Sequence, residues 1–154
     1  MNSRRKKNRK EIPKEIIELK KFLHAYEKLC ICSNSQVNPW IKENAKRCIE
    51  KHEALTKIIL DFSHLSDTPP VLFATIITSL RQTRYKYIKH IYVWNYPMSY
   101  ENVAMLANYI ENPAYKTYTL HLMDCLLTSH FLERVTRVIP SCKFLSDICL
   151  DYNE

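Results

Sequence analysis

Residues 117–127 read Thr117-Tyr-Thr-Leu120-His-Leu122-Met-Asp-Cys125-Leu-Leu127, an eleven-residue frame of the form L-x-x-L-x-L-x-x-N/C-x-L with threonine in its first position. Leu120 and Leu122 are two residues apart, which is the spacing that puts two side chains on one face of a β-strand and their neighbours on the other. The frame recurs. One copy begins at Leu55, with Leu55, Ile58, Leu60 and Leu65 apolar and Ser63 in the polar slot. Another begins at Ile88, with Ile91, Val93 and Met98 apolar and Tyr96 in that slot. A last, truncated copy carries Leu145, Ile148, Leu150 and Asn153, and the four starts are separated by 33, 29 and 28 residues.

Between the frames lie segments with a helical period and their own start and stop signals. Thr68, Pro69 and Pro70 open one that runs to about Thr83, with Phe73, Ile76, Ile77 and Leu80 on its inner face. Ser99 caps the next, whose inward residues are Val103, Leu106 and Ile110, and Pro113 follows its end. Thr128 caps the third, with Leu132, Val135 and Ile139 inward and Pro140 as its stop. Strand, turn and helix in repetition predict an α/β fold with a parallel sheet on one side and helices on the other.

These frames resemble the leucine-rich-repeat family, and the long period with a helical second half is similar to its ribonuclease-inhibitor-like class. The resemblance covers residues 55–154 and implies a short solenoid with a concave parallel sheet and convex helices, three repeats being full and one truncated. A mixed α/β domain whose strands happen to have this spacing is the alternative. Residues 12–54 read as an N-terminal helical cap of two helices. The first runs from about Pro13 to Cys30 with Ile16, Leu19, Phe22, Leu23 and Tyr26 at helical spacing. The second has Asn38 as N-cap, Pro39 in its first turn and Trp40, Ile41, Ala45, Cys48 and Ile49 inward. The last frame stops at Glu154 before its helix, so the expectation is a fragment of a longer repeat protein, or a C-terminal end covered by a partner or by self-association with a second copy.

Charge is unevenly placed. The net +7 comes almost wholly from a basic, disordered tail over residues 1–11, where Arg4, Arg5, Lys6, Lys7, Arg9 and Lys10 precede the first acid. From residue 11 onward 17 cations face 16 anions, so the folded part is expected to be nearly neutral. The tail admits three readings: a nuclear address, a weak nucleic-acid contact through phosphates, or a solvated arm. Six cysteines without a CxxC pair, and no apolar segment after the basic start, point to reduced thiols in the cytoplasm or nucleus. The longest apolar stretch, Pro70 to Leu80, falls short of the roughly 20 residues a membrane span needs. There is no glycine, where average usage of about 7% predicts roughly ten. Phosphate-cradling loops, dinucleotide fingerprints and the hydrolase serine elbow, all of which need glycine, are therefore excluded.

The outward strand positions are the candidate site. In the repeat frame Ile59, Tyr92, His121 and Cys149 form one row, Asp61, Trp94, Met123 and Asp151 the next, and Phe62, Asn95, Asp124 and Tyr152 flank them. Large rigid side chains bordered by carboxylates are the composition of a protein-binding hot spot, and the acids favour a basic or amphipathic partner over a phosphate-bearing one. The other reading has Tyr92 and Trp94 covering the sheet against their own chain, for instance under the cap. Cys30, Cys32, Cys48 and His52 have the donor types of a zinc site, but one residue between the first pair is tighter than usual, and Cys48 suits a buried apolar face. His90 and His121 have no placed nucleophile with an orienting acid, so catalysis is not expected and no cofactor is implied. The leading expectation is a non-enzymatic module that binds a protein on the concave sheet face. A nuclear protein acting on nucleic acid through its tail comes second. The order of basic start, helical cap and irregular repeats is also loosely similar to some ciliary leucine-rich-repeat proteins, which implies a third reading, a structural subunit of a large assembly such as the axoneme.

Overall fold

The computed structural model describes residues 11–63 and 70–153. The tail cations Arg4, Arg5, Lys6, Lys7, Arg9 and Lys10, together with Leu65, Thr68 and Pro69, lie outside the described residues. The chain forms a mixed α/β fold with four strands, β1 (Lys57–Asp61), β2 (His90–Trp94), β3 (Thr119–Met123) and β4 (Asp147–Cys149), all parallel and adjacent in chain order. Five α-helices are described: α1 (Lys14–Cys32), α2 (Pro39–Lys51), α3 (Phe73–Gln82), α4 (Tyr100–Glu111) and α5 (Ser129–Thr136).

Strand pairing follows the repeat. Ile58, Ile91, Leu120 and Ile148 lie side by side, as do Leu60, Val93 and Leu122. In the first three strands these residues are buried and merge with the apolar faces of the helices into one core. Ile148 of β4 is 38% exposed, since no further strand or helix among the described residues packs over it. Helices α1, α3, α4 and α5 contact one another in that order, and α2 rests on α1 and β1.

Two buried tyrosines tie together the segments around the N-terminal helices. The Tyr26 hydroxyl accepts from Asn38 N–H at 2.9 Å, and Asn38 Oδ1 in turn caps α2 by accepting from Ile41 N–H at 3.1 Å. The Tyr85 hydroxyl accepts from Leu55 N–H and donates to Leu55 C=O, each at 2.8 Å. Phe22 stacks between these two rings. Burial pushes both phenols above their ordinary pKa, so they stay neutral donors and acceptors.

Two helix boundaries differ from expectation. Helix α3 begins at Phe73 and not at the prolines, because Pro70 C=O accepts from Gln36 N–H at 2.8 Å and Val71 enters the core from extended chain. Helix α5 ends at Thr136 rather than running to Pro140. A proline lacks the N–H for, and its ring clashes with, the carbonyl four residues back, which here belongs to Thr136. Pro140 sits instead in a short 3-10 turn, Ile139–Ser141. The buried residues of this last segment are accordingly Val135 and Val138, with Leu132 and Ile139 only half-buried.

Candidate partner-binding site

The strand register brings the outward positions into rows. Ile59, Tyr92, His121 and Cys149 are paired neighbours, and so are Asp61, Trp94 and Met123. Ile59, Tyr92, Trp94, His121 and Met123 are all half-buried, between the fully buried inward residues of the same strands. Helix α2 packs at the β1 edge, where Trp40 and Asn44 border a cavity with Ile59, whereas Tyr92 and Trp94 on β2 are not packed against α1 or α2.

The turns that leave the strands carry the rest. Asn95, Asp124 and Tyr152 each take a left-handed backbone, with φ of 56°, 51° and 60°. Such a conformation costs a non-glycine residue of order 1–2 kcal/mol, least for asparagine and aspartate with their local hydrogen bonds. In a chain without glycine these residues bear it, and the same bend recurs after β2, β3 and β4. Asn95 N–H donates to Met123 C=O at 3.0 Å and Asp124 N–H to Asp151 C=O at 3.2 Å, so each bend is tied to the next. Together Trp94, Asn95, Met123, Asp124 and Tyr152 line one cleft of about 570 Å³. Tyr152 is 79% exposed on its rim. Trp94 Nε1 is shielded from solvent and has no hydrogen-bond partner among the described residues.

Asp124 gives the cleft a carboxylate, and the strand ends around it are acidic. Asp61, Asp124 and Asp151 are exposed, and residues 59–63, 92–98, 121–126 and 149–153 contain no lysine or arginine. Asn95 Nδ2 donates to Asp61 Oδ1 at 3.0 Å, as does Ser63 N–H, which fixes the first turn against the second. Beside the cleft the Tyr92 ring meets the edges of Trp94 and His121, with centroids 5.7 and 4.8 Å away. His121 Nε2 lies 3.0 Å from Asp147 Oδ2. Asp147 was not among the expected site residues, although it occupies the outward position two before Cys149 and could have been read from the frame. Phe62 stands apart from the site: its ring stacks on Tyr96 at 4.2 Å and packs against the core.

The polar slot of the repeat is a ladder between strands. Cys125 Sγ donates to Val93 C=O at 3.4 Å. Asn153 Nδ2 donates to Leu122 C=O at 2.7 Å, while its Oδ1 accepts from Cys125 and Leu127 N–H at 3.0 and 3.2 Å. Burial pushes the Cys125 thiol up to about 11, keeping it a neutral donor. Tyr96, in the same slot, reaches instead to the start of α3, its hydroxyl accepting from Phe73 N–H at 3.3 Å.

The other candidates are placed separately. Cys30 is buried and points its thiol at Gln36 C=O, Cys32 is exposed, Cys48 is half-buried with its thiol pKa raised by burial, and His52 is the left-handed C-cap of α2. These four do not converge, and among the described residues no three His, Cys, Asp or Glu side chains are arranged to hold a metal. His90 Nδ1 pairs with Thr119 Oγ1 at 2.9 Å. No described helix is long and apolar enough to cross a membrane.

The chain matches no protein-family model and no curated protein sequence.

Proposed function

We propose that this chain is a short leucine-rich-repeat solenoid that acts as a non-enzymatic binding module, holding a protein partner on the sheet face opposite its helices. The repeat reading is supported by the shared register of the four strands and by the Cys125 and Asn153 ladder, two residue types doing one job at one frame position. The observation that carries the functional reading is the cleft itself: residues from three successive strand ends meet in one concavity. Its walls are aromatic and thioether, Asp124 adds a carboxylate, and among the described residues no lysine or arginine lines it. A peptide segment with an apolar anchor flanked by lysine or arginine fits that chemistry, because the anchor gains contact area and the flanks meet Asp124 and Asp151.

Selection of peptides from a random display library on the intact chain tests this. Enriched peptides should combine an aromatic or aliphatic anchor with basic flanks. Trp94→Ala should weaken them about thirtyfold, the loss of a hot-spot residue of about 2 kcal/mol. Unchanged affinity in a folded Trp94→Ala/Met123→Ala variant would reject the site.

A further inference from the structure

Charge is segregated along the strands. The segments leaving the strands hold Asp61, Asp124 and Asp151, whereas those entering them hold Lys57, Arg84, Lys86, Lys89, Lys116 and Lys143, every one exposed. None of these six cations is in an ion pair among the described residues. The nearby acids are Glu53 ahead of β1, Glu15 and Glu18 of α1 facing Tyr87, Glu111 at the end of α4, and Asp147, which is engaged with His121.

Aromatic rings run among these cations. Lys89 Nζ lies 5.9 Å from the centre of the Tyr118 ring, Tyr118 is 5.7 Å from Phe144, and Lys116 Nζ is 5.2 Å from the Phe144 centre. The stripe is held by the sheet itself, since Tyr118 N–H donates to Lys89 C=O at 2.8 Å and Ser146 N–H to Tyr118 C=O at 2.9 Å. Phe144 is 39% exposed, a large apolar ring on a charged edge. Beside it opens a cavity of about 220 Å³ walled by Tyr115, Thr117, Cys142, Lys143 and Phe144, with the Glu111 carboxylate on its α4 side. Thr117 is only 3% exposed, and its Oγ1 has no hydrogen-bond partner among the described residues.

We propose that this edge binds single-stranded nucleic acid, with phosphates at Lys89, Lys116 and Lys143, bases stacked on Tyr118 and Phe144, and a base edge meeting the Thr117 hydroxyl. Cations along a track with ring faces between them are how sequence-tolerant single-strand binders work, the lysines following the backbone and the rings taking the bases. An acidic peptide would use the lysines and leave the rings idle. A duplex keeps its base faces stacked. The surface is distinct from the acidic cleft at the opposite ends of the strands, and it belongs to the folded part rather than to the basic tail.

The test is fluorescence anisotropy of a labelled oligothymidine of about 12 nucleotides, within the usual site sizes, titrated with the full-length chain at low salt. Three full-length variants are compared: Lys89→Ala/Lys116→Ala, Phe144→Ala, and one with the six tail cations replaced by serine. Because the two lysines are exposed, their variant probes the edge even if Phe144→Ala proves poorly folded by circular dichroism. The proposal expects the lysine pair and Phe144→Ala each to lose about tenfold in affinity, the tail variant to keep that sensitivity, and duplex of equal length to compete poorly. Binding that is absent, that survives in the lysine variant, that disappears with the tail cations alone, or that polyglutamate or duplex displaces as well as single strand, overturns it.

Discussion

Asn153 shows how much one side chain can hold. Its amide closes the turn after β4 against the turn after β3 through donors to Leu122 and Leu150 C=O and acceptors for Cys125 and Leu127 N–H. Asn153→Ala leaves those two N–H groups without their partner, and each orphaned buried group costs about 1–3 kcal/mol. Urea unfolding of this variant should show a stability loss of about 2 kcal/mol or more, and a loss below about 0.5 kcal/mol would mean that the ladder is not structural. Cys125, the corresponding residue one repeat earlier, makes a pH prediction. Burial raises its thiol pKa in the fold from an ordinary value of 9.0 to about 11, so its contribution is fully present below about pH 9 and fades as pH rises toward 11. The raised phenols of Tyr26, Tyr85 and Tyr109 act in the same direction from about pH 10 upward. Thermal midpoints should therefore be flat to about pH 9 and fall beyond it, with the early part of that fall reduced in Cys125→Ala and the remainder carried by the raised Cys48 and Cys142 thiols. A midpoint that rises between pH 9 and 11 would contradict the burial of these groups.

Among the elements, the strands were the most legible because two inward residues at a spacing of two, repeated four times, leave little choice of register. Ile58, Ile91 and Leu120 align as the frame required. The helix limits were less legible, since they depend on partners far away in sequence. The start of α3 is set by Gln36 and Tyr96, which hold Pro70 C=O and Phe73 N–H, and neither leaves a mark in the segment itself. The Tyr85 tie between the segment after α3 and Leu55, just ahead of β1, is of the same kind, invisible in a pattern of apolar positions. Its removal is a test at this scale. Tyr85→Phe keeps the stacked ring and strips both hydrogen bonds from Leu55, a residue only 3% exposed. An equilibrium loss of about 2 kcal/mol is expected, with hydrogen exchange accelerating first at Leu55 and in α2. Unchanged exchange there would show that the approach to β1 is held by apolar packing alone.

For the whole molecule, near-neutrality beyond residue 10 hides an acidic end and a basic end of one sheet. The acidic end was legible, because Asp61, Asp124 and Asp151 sit at fixed frame positions; the cleft between them was not, because it depends on left-handed bends at Asn95, Asp124 and Tyr152, none of which is glycine. The Phe62 ring's stacking on Tyr96 was not legible either, because Tyr96 is 34 residues away in sequence. The proposed protein partner would occupy that cleft. The chain has two tryptophans, Trp40 on α2 and Trp94 in the cleft, so the indole region of a nitrogen-15 correlation spectrum carries one reporter inside the site and one outside it. Titration with a library-selected peptide should move the Trp94 indole signal to saturation, with backbone shifts at Asn95, Met123, Asp124 and Tyr152, and leave Trp40 in place. A peptide that binds while Trp94 stays still, or that moves Trp40 and the helices instead, would contradict the account.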